Sequence, residues 1–527
     1  MVNIVEETHF NRKMRVFKNR PLNLFSMLEE TVSKFPDKEA LVENTVRLTY
    51  KEMYEKVLNI SGNLQKSLGV KKGERVALLL GNSIEYALLV FACAKIGVIL
   101  VLLNTRLKEK ELSFMLKQSG ARILIVDDEF LYKVDKMRNE NVISKAMHFY
   151  LIGEQYSKRK DYLPYEILEQ KANSNPVDIS ENDPLFIMYT SGTTGQPKGA
   201  IGSHLGAIHS SMNFEIVFKT DQNTKTLIAV PLFHVTGLIG QLFHTIRVGG
   251  TSVILRRFHA EEYIWIMKEE EISLLFNVPT IYVMMMAHPS FQSSQYMKVK
   301  TLAYGGAPMS PETICELTRY FPNAALQNAY GATETSSPAT IMPQYYNKEK
   351  RNSVGIAVPV GDLKVVNNEG DNCMPGVVGE LLIKGPMVIE GYWENDMANQ
   401  SAFIDGYWRS GDLAKIDEDG FIYIMDRKKD MINRGGEKVY SVEVENVIYT
   451  HPKVLEVAVV GIPDEIFGEM VKAFIVTKEN IVLEKDEIIE FTSKQLASYK
   501  VPKEIEFVSE LPRNPGGKVL KNRLKNA

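Results

Sequence analysis

Up to about residue 350, the pattern of hydrophobic and polar positions alternates between helical and strand periods. Apolar residues recur at helical spacing in 22–35 and 49–68, and a further helix is expected from Ser83. Short apolar runs predict buried strands at 75–80, 98–102, 122–126, 226–231, 251–255 and 274–278. Strands that alternate with helices predict an α/β fold whose largely parallel sheets are covered by helices on both faces.

The pattern changes at about Val354. Short runs at 363–366, 379–383 and 421–424 alternate with turn residues, which predicts antiparallel hairpins. The helix–strand rhythm returns after the charged stretch 426–430, which by its composition is a solvated turn. We therefore predict a large N-terminal domain of mixed sheets with a β-rich subdomain (1–425), a hinge (426–430) and a small, mobile α+β domain (431–527).

Composition and charge narrow the class of protein. At 527 residues, with 45% hydrophobic and 24% charged residues, the chain is too long for one core and has the composition of a soluble protein. A net charge of −3 gives no basic field for nucleic acid. The N-terminus has no signal-peptide pattern, and Lys95 and Gly97 interrupt the most apolar segment, 86–103. With three scattered cysteines, these features predict a cytoplasmic protein without a membrane span.

The segment 189–199 combines hydroxyls, glycines and a lysine. An apolar run at 185–188 precedes it, and Ser203 is a suitable helix N-cap after it, so the segment is expected to lie between a strand and a helix. Hydroxyls and bare backbone N–H groups bind anions, and lysine adds a point charge. This predicts a phosphate-binding loop, although the segment matches neither the Walker pattern nor a dinucleotide fingerprint.

Further polar residues follow predicted strands. The segments 301–308 and 327–334 each end an apolar run in a glycine turn, and ligands bind beyond the carboxyl ends of parallel strands. Pro231–Gly237 places His234 at a strand end, and Trp408–Leu413 reads as a tight turn with one carboxylate, Asp412. His204 and His209 are five residues apart, off one helical face, so they do not indicate a metal site.

These motifs, in this order, closely resemble those of the adenylate-forming superfamily, which contains acyl-CoA synthetases, peptide-synthetase adenylation domains and firefly luciferase. The resemblance implies a reaction in two halves. A carboxylate attacks the α-phosphate of ATP to give an acyl-adenylate and pyrophosphate, and a thiol, coenzyme A, then displaces AMP. It also implies Mg²⁺ as a cofactor. One departure is Asn514-Pro515 in the last motif, where the family has Thr or Ser.

The resemblance also implies a role for each matched residue. Glu334 would hold Mg²⁺, Thr333 would contact the α-phosphate, His234 would border the carboxylate pocket, and Lys518 would be the catalytic lysine. Lys429 would be the hinge residue, and Lys438, in the loop 433–438, would contact a phosphate after the small domain rotates. The remaining implied contacts are all with the nucleotide. Those with the phosphates are Thr190, Ser191, Gly192, Thr193, Thr194, Gly195 and Lys198, and Thr193 is also implied to be catalytic. Those around the adenine are Gly306, Ala307, Pro308, Asn328, Ala329, Tyr330 and Gly331, and those with the ribose are Asp412 and Arg427.

The acid substrate is the least determined part of the prediction. The acyl pocket is expected from 234–237, 304–306 and 331–338, which are small or apolar and contain no arginine to pair a second carboxylate. This favours a medium- or long-chain fatty acid, with an aromatic acid as the alternative. A separate carrier protein as acceptor, luciferase-like oxidation and a non-catalytic relative also stay open, although the last should have lost Lys518 or Glu334. The expected partners are small molecules, and an oligomer is possible.

Overall fold

A computed structural model describes residues 3–144, 146–155, 159–191, 196–291, 296–346, 348–478, 481–513 and 519–525. The strands, in chain order, are β1 Ile4–His9, β2 Arg12–Phe17, β3 Glu39–Glu43, β4 Val46–Thr49, β5 Arg75–Leu79, β6 Ile99–Leu102, β7 Ile123–Asp127, β8 His148–Ile152, β9 Leu163–Pro164, β10 Pro184–Ser191, β11 Pro197–Ser203, β12 Lys225–Ile228, β13 Thr251–Ile254, β14 Leu274–Asn277, β15 Thr301–Gly305, β16 Ala325–Ala332, β17 Ser337–Ile341, β18 Ile356–Ala357, β19 Asp362–Val366, β20 Gly379–Lys384, β21 Phe403–Ile404, β22 Tyr407–Ile416, β23 Ile422–Arg427, β24 Ile432–Arg434, β25 Glu437–Val439, β26 Val454–Asp464, β27 Gly468–Thr477 and β28 Glu504–Phe507.

The helices alternate with these strands in the first half of the chain, as predicted. They are α1 Leu24–Lys34, α2 Tyr50–Gly62, α3 Ile84–Lys95, α4 Glu109–Ser119, α5 Leu131–Asn139, α6 His204–Phe218, α7 His244–Arg247, α8 Ala260–Glu269, α9 Pro279–Ala287, α10 Pro311–Tyr320, α11 Asp396–Ala402, α12 Ser441–Tyr449, α13 Lys485–Ser493 and α14 Lys521–Leu524. A wide helical segment, Thr236–Phe243, leads directly into α7. No helix among the described residues is long and apolar enough to cross a membrane.

Two large sheets form the main body of the molecule. The seven-stranded sheet has the order β11-β10-β6-β5-β7-β8-β9, and the nine-stranded sheet has the order β18-β17-β16-β15-β14-β12-β13-β3-β4. Their central strands pair in parallel, for example β5 with β6 and β7, and β14 with β15. Because one apolar cluster includes Leu78 and Leu100 of the first sheet together with Ile228 and Ile254 of the second, the two sheets share part of their core. The predicted α/β class is confirmed.

Two smaller sheets follow, as the change of pattern at Val354 predicted. One is antiparallel, with the order β19-β20-β22-β21 and β23 paired to β22. The other has the order β25-β24-β27-β26, with β28 parallel to β27, and it carries α12 and α13. The N-terminal hairpin β1–β2 is a sheet of its own.

Local capping explains where the helices near the site begin. Ser83 accepts a hydrogen bond from the backbone N–H of Tyr86 at the start of α3, and Ser203 accepts one from Gly206 at the start of α6. Both serines were predicted at these helix starts. The apolar segment 86–103 is a buried helix followed by a buried strand, α3 and β6, as its interruption by Lys95 and Gly97 indicated.

Two local predictions were wrong, and a third, the solvated turn at 426–430, holds at Lys428 and Lys429 but not at Asp426. The segment 189–199 does not connect a strand to a helix: β10 and β11 pair as an antiparallel hairpin, and the helix α6 begins only after β11. Trp408–Leu413 is no tight turn but part of the ten-residue strand β22, in which Gly411 has φ +70°. Within the charged stretch, Asp426 is buried, because it accepts hydrogen bonds from the backbone N–H groups of Arg427 and Ser441.

Candidate active site

The two segments that were predicted for the adenine lie side by side. Strands β15 and β16 pair in parallel, with Tyr304 opposite Asn328 and Gly305 opposite Ala329. Gly306 has φ +79°, a conformation that favours glycine, and it begins the exposed segment Gly306-Ala307-Pro308. The carboxyl ends of the two strands therefore meet at one edge of the sheet, where open α/β sheets bind ligands. The glycine turn predicted at 327–334 was wrong, because Gly331 lies within β16 and pairs with Pro338 of β17.

We call Tyr330, Asp412 and Arg427 the Asp412 corner. Tyr330 lies near the end of β16, and its hydroxyl donates to Asp412 Oδ2 over 2.5 Å. Asp412 and Arg427 face each other across β22 and β23, and Arg427 Nε lies 3.6 Å from Asp412 Oδ1. Burial, together with the carboxylate of Asp412, raises the pKa of Tyr330. The nucleotide motifs of the two sheets therefore meet in one hydrogen-bonded group beside a cavity of about 280 Å³ lined by Ser410, Gly411, Arg427, Lys428 and Lys429.

We call Glu334, Thr190 and Tyr392 the Glu334 corner. Glu334 lies in a one-turn helical segment after β16, and its Oε1 accepts hydrogen bonds from the hydroxyls of Tyr392 (3.0 Å) and Thr190 (3.4 Å). Burial raises the pKa of Glu334, and the hydrogen bonds oppose this only in part. The corner presents hard oxygen donors around a desolvated carboxylate, and this is the donor set that Mg²⁺ prefers. The residues present therefore fit the implied cation.

The hairpin β10–β11 brings the phosphate-loop residues to this corner. Thr190 lies opposite Lys198 in the register of the two strands, and Lys198 Nζ stands 5.3 Å from the centre of the Tyr392 ring. Ser191 ends β10. The predictions for Gly192, Thr193, Thr194, Gly195 and Lys518 lie outside the described residues.

Tyr392 is a residue that the sequence reasoning missed. The backbone of 391–393 joins the hairpin at β11, with Ile201 N–H donating to Gly391 O (3.0 Å) and Trp393 N–H donating to Gly199 O (2.7 Å). This pairing places the Tyr392 side chain between Lys198 and Glu334. An aromatic pair after a glycine is common in β-rich regions, so the sequence offered no specific signal for it.

His234 does not end a strand, contrary to prediction. It lies six residues after β12, in the loop that precedes the helical segment Thr236–Phe243. Burial lowers the pKa of His234 to about 4, and the positive charge of Arg106 contributes. The imidazole is therefore neutral near pH 7, so it can pack or hydrogen-bond but does not supply a positive charge. Arg106, in the loop after β6, is a second residue that sequence reasoning missed.

His204 and His209, which are both buried in α6, have structural roles. His204 Nδ1 accepts the backbone N–H of Leu24 over 3.2 Å, and His209 Nε2 accepts that of Phe17 over 3.2 Å. Burial lowers the pKa of His204 to about 4 and that of His209 to about 3. Both rings therefore fasten the N-terminal segment to α6 as neutral acceptors.

A cluster of Glu7, His9 and Glu181 resembles a cation site by its spacing alone. Arg20, however, lies between the two carboxylates, with Nη2 2.6 Å from Glu7 and Nε 2.8 Å from Glu181. Hydrogen bonds from Arg20 are the main cause that lowers the pKa of Glu7 to about 2. The guanidinium already compensates this cluster, so it reads as an ion-pair network.

Thr333, which was predicted to contact the α-phosphate, is half-buried at the start of the one-turn helical segment that holds Glu334. The remaining predicted residues, Lys429 and Lys438, lie on an exposed turn and an exposed hairpin. Lys429 is exposed in the turn that follows β23, where the N–H groups of Asp430 and Met431 both donate to Arg427 O. Lys438 is exposed on β25, opposite Asn433, and the hairpin turn between them uses the positive φ angles of Gly435 and Gly436.

Two family models match successive parts of the chain. The AMP-binding enzyme model matches residues 28–393, and the model of the AMP-binding enzyme C-terminal domain matches residues 443–518.

Known proteins match almost the entire chain. A 2-succinylbenzoate–CoA ligase of Bacillus licheniformis is 34% identical over 94% of this chain and 98% of its own length. A long-chain-fatty-acid–CoA ligase of Mycobacterium tuberculosis is 34% identical over 95% and 98%. The structure of o-succinylbenzoate coenzyme A synthetase from Bacillus subtilis with ATP and magnesium ion superposes with a TM-score of 0.83, at 29% identity over 95% and 99% of the two chains. The chain thus belongs to the AMP-binding enzyme family, the adenylate-forming superfamily, and is an AMP-forming carboxylate–CoA ligase.

Proposed function

We propose that this ligase activates a medium- or long-chain fatty acid with ATP, releases pyrophosphate, and transfers the acyl group from the acyl-adenylate to coenzyme A. The observation that carries the nucleotide part is the contact between Tyr330 and Asp412, residues 82 positions apart whose motifs were each predicted to bind ATP. In this proposal the adenine lies against Gly306–Pro308 and 328–331, and the ribose hydroxyls bind the carboxylate of Asp412 beside Arg427.

The Glu334 corner would serve the chemistry at phosphorus. A carboxylic acid is already ionised near pH 7, so the adenylation half needs no general base. The difficulty is to bring one anion onto another. Glu334 would hold Mg²⁺, which when bound supplies positive charge against the phosphates. Thr190 and Thr333 would donate to phosphate oxygens, and Lys198 would neutralise the departing pyrophosphate.

Lys518 is proposed as the catalytic lysine of the adenylation half. Because one preorganised donor is worth about 10²–10³-fold in rate, Lys518→Ala should lose about that factor in pyrophosphate release. Thioester formation from supplied acyl-adenylate should be largely spared. An equal loss in both halves would contradict the role.

We also propose the division into 1–425, a hinge at 426–430 and a mobile domain at 431–527. In support, the exposed turn at Lys429 connects two separate sheets, one ending in β23 and the other starting at β24. Rotation about this turn would bring Lys438 and its glycine hairpin to the cleft for the second half. Lys429→Pro should stall one half-reaction; if both halves run at normal rates, the hinge lies elsewhere.

The choice of acid rests on the His234 side of the cleft. His234 is neutral, and the expected pocket segments 234–237, 304–306 and 331–338 hold no arginine, which favours an apolar acyl chain. One observation favours a second candidate, an aryl acid that carries a further carboxylate: the charge of Arg106 acts on His234. One of the similar ligases is named for 2-succinylbenzoate, an aryl acid with a further carboxylate, and another for long-chain fatty acids.

A panel of acids separates these candidates. Pyrophosphate release would be measured with octanoate, palmitate, benzoate, ferulate and 2-succinylbenzoate, each with CoA and with a phosphopantetheinylated carrier protein. We expect the fatty acids with CoA to give the highest kcat/KM. A preference for 2-succinylbenzoate that Arg106→Ala abolishes would establish the second candidate, and transfer only to the carrier would replace CoA as the acceptor.

A further inference from the structure

Asn82 lies between the two large sheets and belongs to none of the predicted motifs. It follows β5 of the seven-stranded sheet and directly precedes Ser83, the N-cap of α3. Only 4% of Asn82 is exposed. A buried amide costs free energy unless its donors and acceptor find partners, so its hydrogen bonds indicate what it holds in place.

The side chain of Asn82 forms its hydrogen bonds with the backbone of the opposite sheet. Nδ2 donates to Val230 O and to Leu255 O, each over 3.2 Å, and Oδ1 accepts the backbone N–H of Leu232 over 2.8 Å. Val230 and Leu255 follow β12 and β13, which are neighbouring parallel strands. One amide from the first sheet therefore fastens two strand ends of the second sheet and the start of the loop that follows β12.

That loop carries His234. Its backbone closes on itself, because His234 N–H donates to Pro231 O (3.1 Å) and Leu238 N–H donates to His234 O (2.9 Å). Gly237 packs so tightly that a Cβ there would lie 2.6 Å from Pro231 O. With Val230 O and Leu232 N–H both held by Asn82, the position of the His234 ring relative to the first sheet depends on this amide.

We propose that Asn82 is a positioning residue for the carboxylate pocket, which fixes the His234 loop of the second sheet against the junction of β5 and α3 in the first sheet. The proposal rests on the role proposed for His234. Asparagine suits this place because the pattern needs two donors and one acceptor on a short, planar side chain. Aspartate has the same shape but would direct oxygens at the carbonyls of Val230 and Leu255.

Steady-state kinetics of Asn82→Ala test the proposal. A displacement of about 1 Å in a substrate-positioning group can cost about 10²-fold, so we expect kcat/KM for the acid to fall by about that factor. The KM for ATP should change less than about threefold, because Tyr330 and Asp412 do not depend on this loop. Asn82→Asp should lose at least as much as Asn82→Ala. Equal increases in both KM values would overturn the proposal.

A double-mutant cycle separates positioning from general damage. In a His234→Ala background, Asn82→Ala should cost less than about threefold more, because the group that Asn82 positions is gone. Full additivity would overturn the proposal. Asn63→Ala is the matched control, since Asn63 is a buried amide that donates to Leu168 O and Gln170 O, away from the site. It should lower the melting temperature without a selective effect on the acid. If Asn82→Ala fails to fold, Asn82→Ser, which keeps one donor and one acceptor, should show a smaller loss of the same kind.

Histidine spectroscopy gives a readout that needs no activity. In protein labelled at histidine 13Cε1, the His234 resonance is identified by its loss in His234→Ala. In Asn82→Ala we expect this resonance to shift and the pKa of His234 to rise from about 4 toward the ordinary 6.5, as the loop admits water. In Asn63→Ala the His234 resonance and the pKa of His234 should stay as in the wild type. An unchanged His234 resonance in Asn82→Ala would refute the inference even in an active enzyme, whereas a wild-type enzyme that activates no acid would refute only the proposed function.

Discussion

The Asp412 corner and the Glu334 corner are each built on one buried or half-buried carboxylate, but they satisfy its charge differently. Asp412 faces the guanidinium of Arg427 across two paired strands and accepts the hydroxyl of Tyr330. Glu334 lies in a single helical turn, and among the residues that the structure describes, the side chains that donate to it are two neutral hydroxyls. Burial accordingly raises the pKa of Glu334.

The charge of Asp412 is therefore compensated before a ligand binds, whereas the charge of Glu334 is compensated when a cation binds. The ion pair and the strand ladder hold Asp412 in a geometry suited to two vicinal hydroxyls. An ionised, desolvated carboxylate without a cationic partner is costly, and a divalent cation removes that cost. Changes at the two corners should therefore differ in size, in the substrate they affect and in their dependence on Mg²⁺ and pH.

The largest effect is expected from Glu334→Gln. The amide keeps the size of the side chain but is a poor ligand for Mg²⁺, so pyrophosphate release should fall about 10²–10³-fold. The ligand-free variant should melt at a higher temperature than the wild type at pH 8, since the buried charge is removed. Rates and melting curves are the measurements. Near-normal activity at low Mg²⁺, or a lower melting temperature, would contradict the account of this corner.

A smaller effect, confined to ATP, is expected from Asp412→Asn. Hydrogen bonds to a charged group contribute about 1.5–3 kcal/mol, so the KM for ATP should rise about 10–100-fold while the dependence on Mg²⁺ stays as in the wild type. The wild type should also prefer ATP over 2′-deoxy-ATP more strongly than the variant does. If both enzymes discriminate equally, the ribose does not bind at Asp412.

The same two corners show what the sequence could and could not predict. Tyr330 and Glu334 lie within one motif, and Asp412 and Arg427 each stand in a recognisable pattern, so their residue types and strand-end positions were readable. The tight turn expected around Asp412 was wrong because a glycine in the left-handed region can also lie within a strand, where Gly411 kinks β22.

Contacts between segments far apart in the chain were not readable. Tyr392 reaches Glu334 across 58 positions, and Asn82 reaches the His234 loop across about 150. Each depends on how two sheets pack, which the local periodicity of either segment does not determine. The hairpin at 189–199 was missed for a related reason. The strand β11 pairs with β10 on one side and with the backbone of 391–393, which is distant in the sequence, on the other.

The pH dependence should distinguish the corners next. A raised folded-state pKa means that the native protein binds a proton at Glu334 more tightly than the unfolded chain does. The stability that protonation provides is therefore lost as the pH rises through the folded pKa, while the Mg²⁺-dependent rate is gained. At subsaturating Mg²⁺, the rate should fall about tenfold per unit below an inflection above the ordinary value of 4.5. Added Mg²⁺ should move that inflection down, and Asp412→Asn should retain it; an inflection that ignores Mg²⁺ would assign the titration to another group.

The smallest effects are expected from removing one hydroxyl at each corner. In Tyr330→Phe, Asp412 still faces Arg427, so the KM for ATP should rise only about threefold to tenfold and the pH profile should not change. In Tyr392→Phe, Glu334 loses a donor that favours its ionised form, so its pKa should rise further and the inflection in the rate should move to higher pH. The two variants remove the same atom from the same residue type, so each is the control for the other. If both variants changed only the KM for ATP, Tyr392 would act in ATP binding and would not influence the pKa of Glu334.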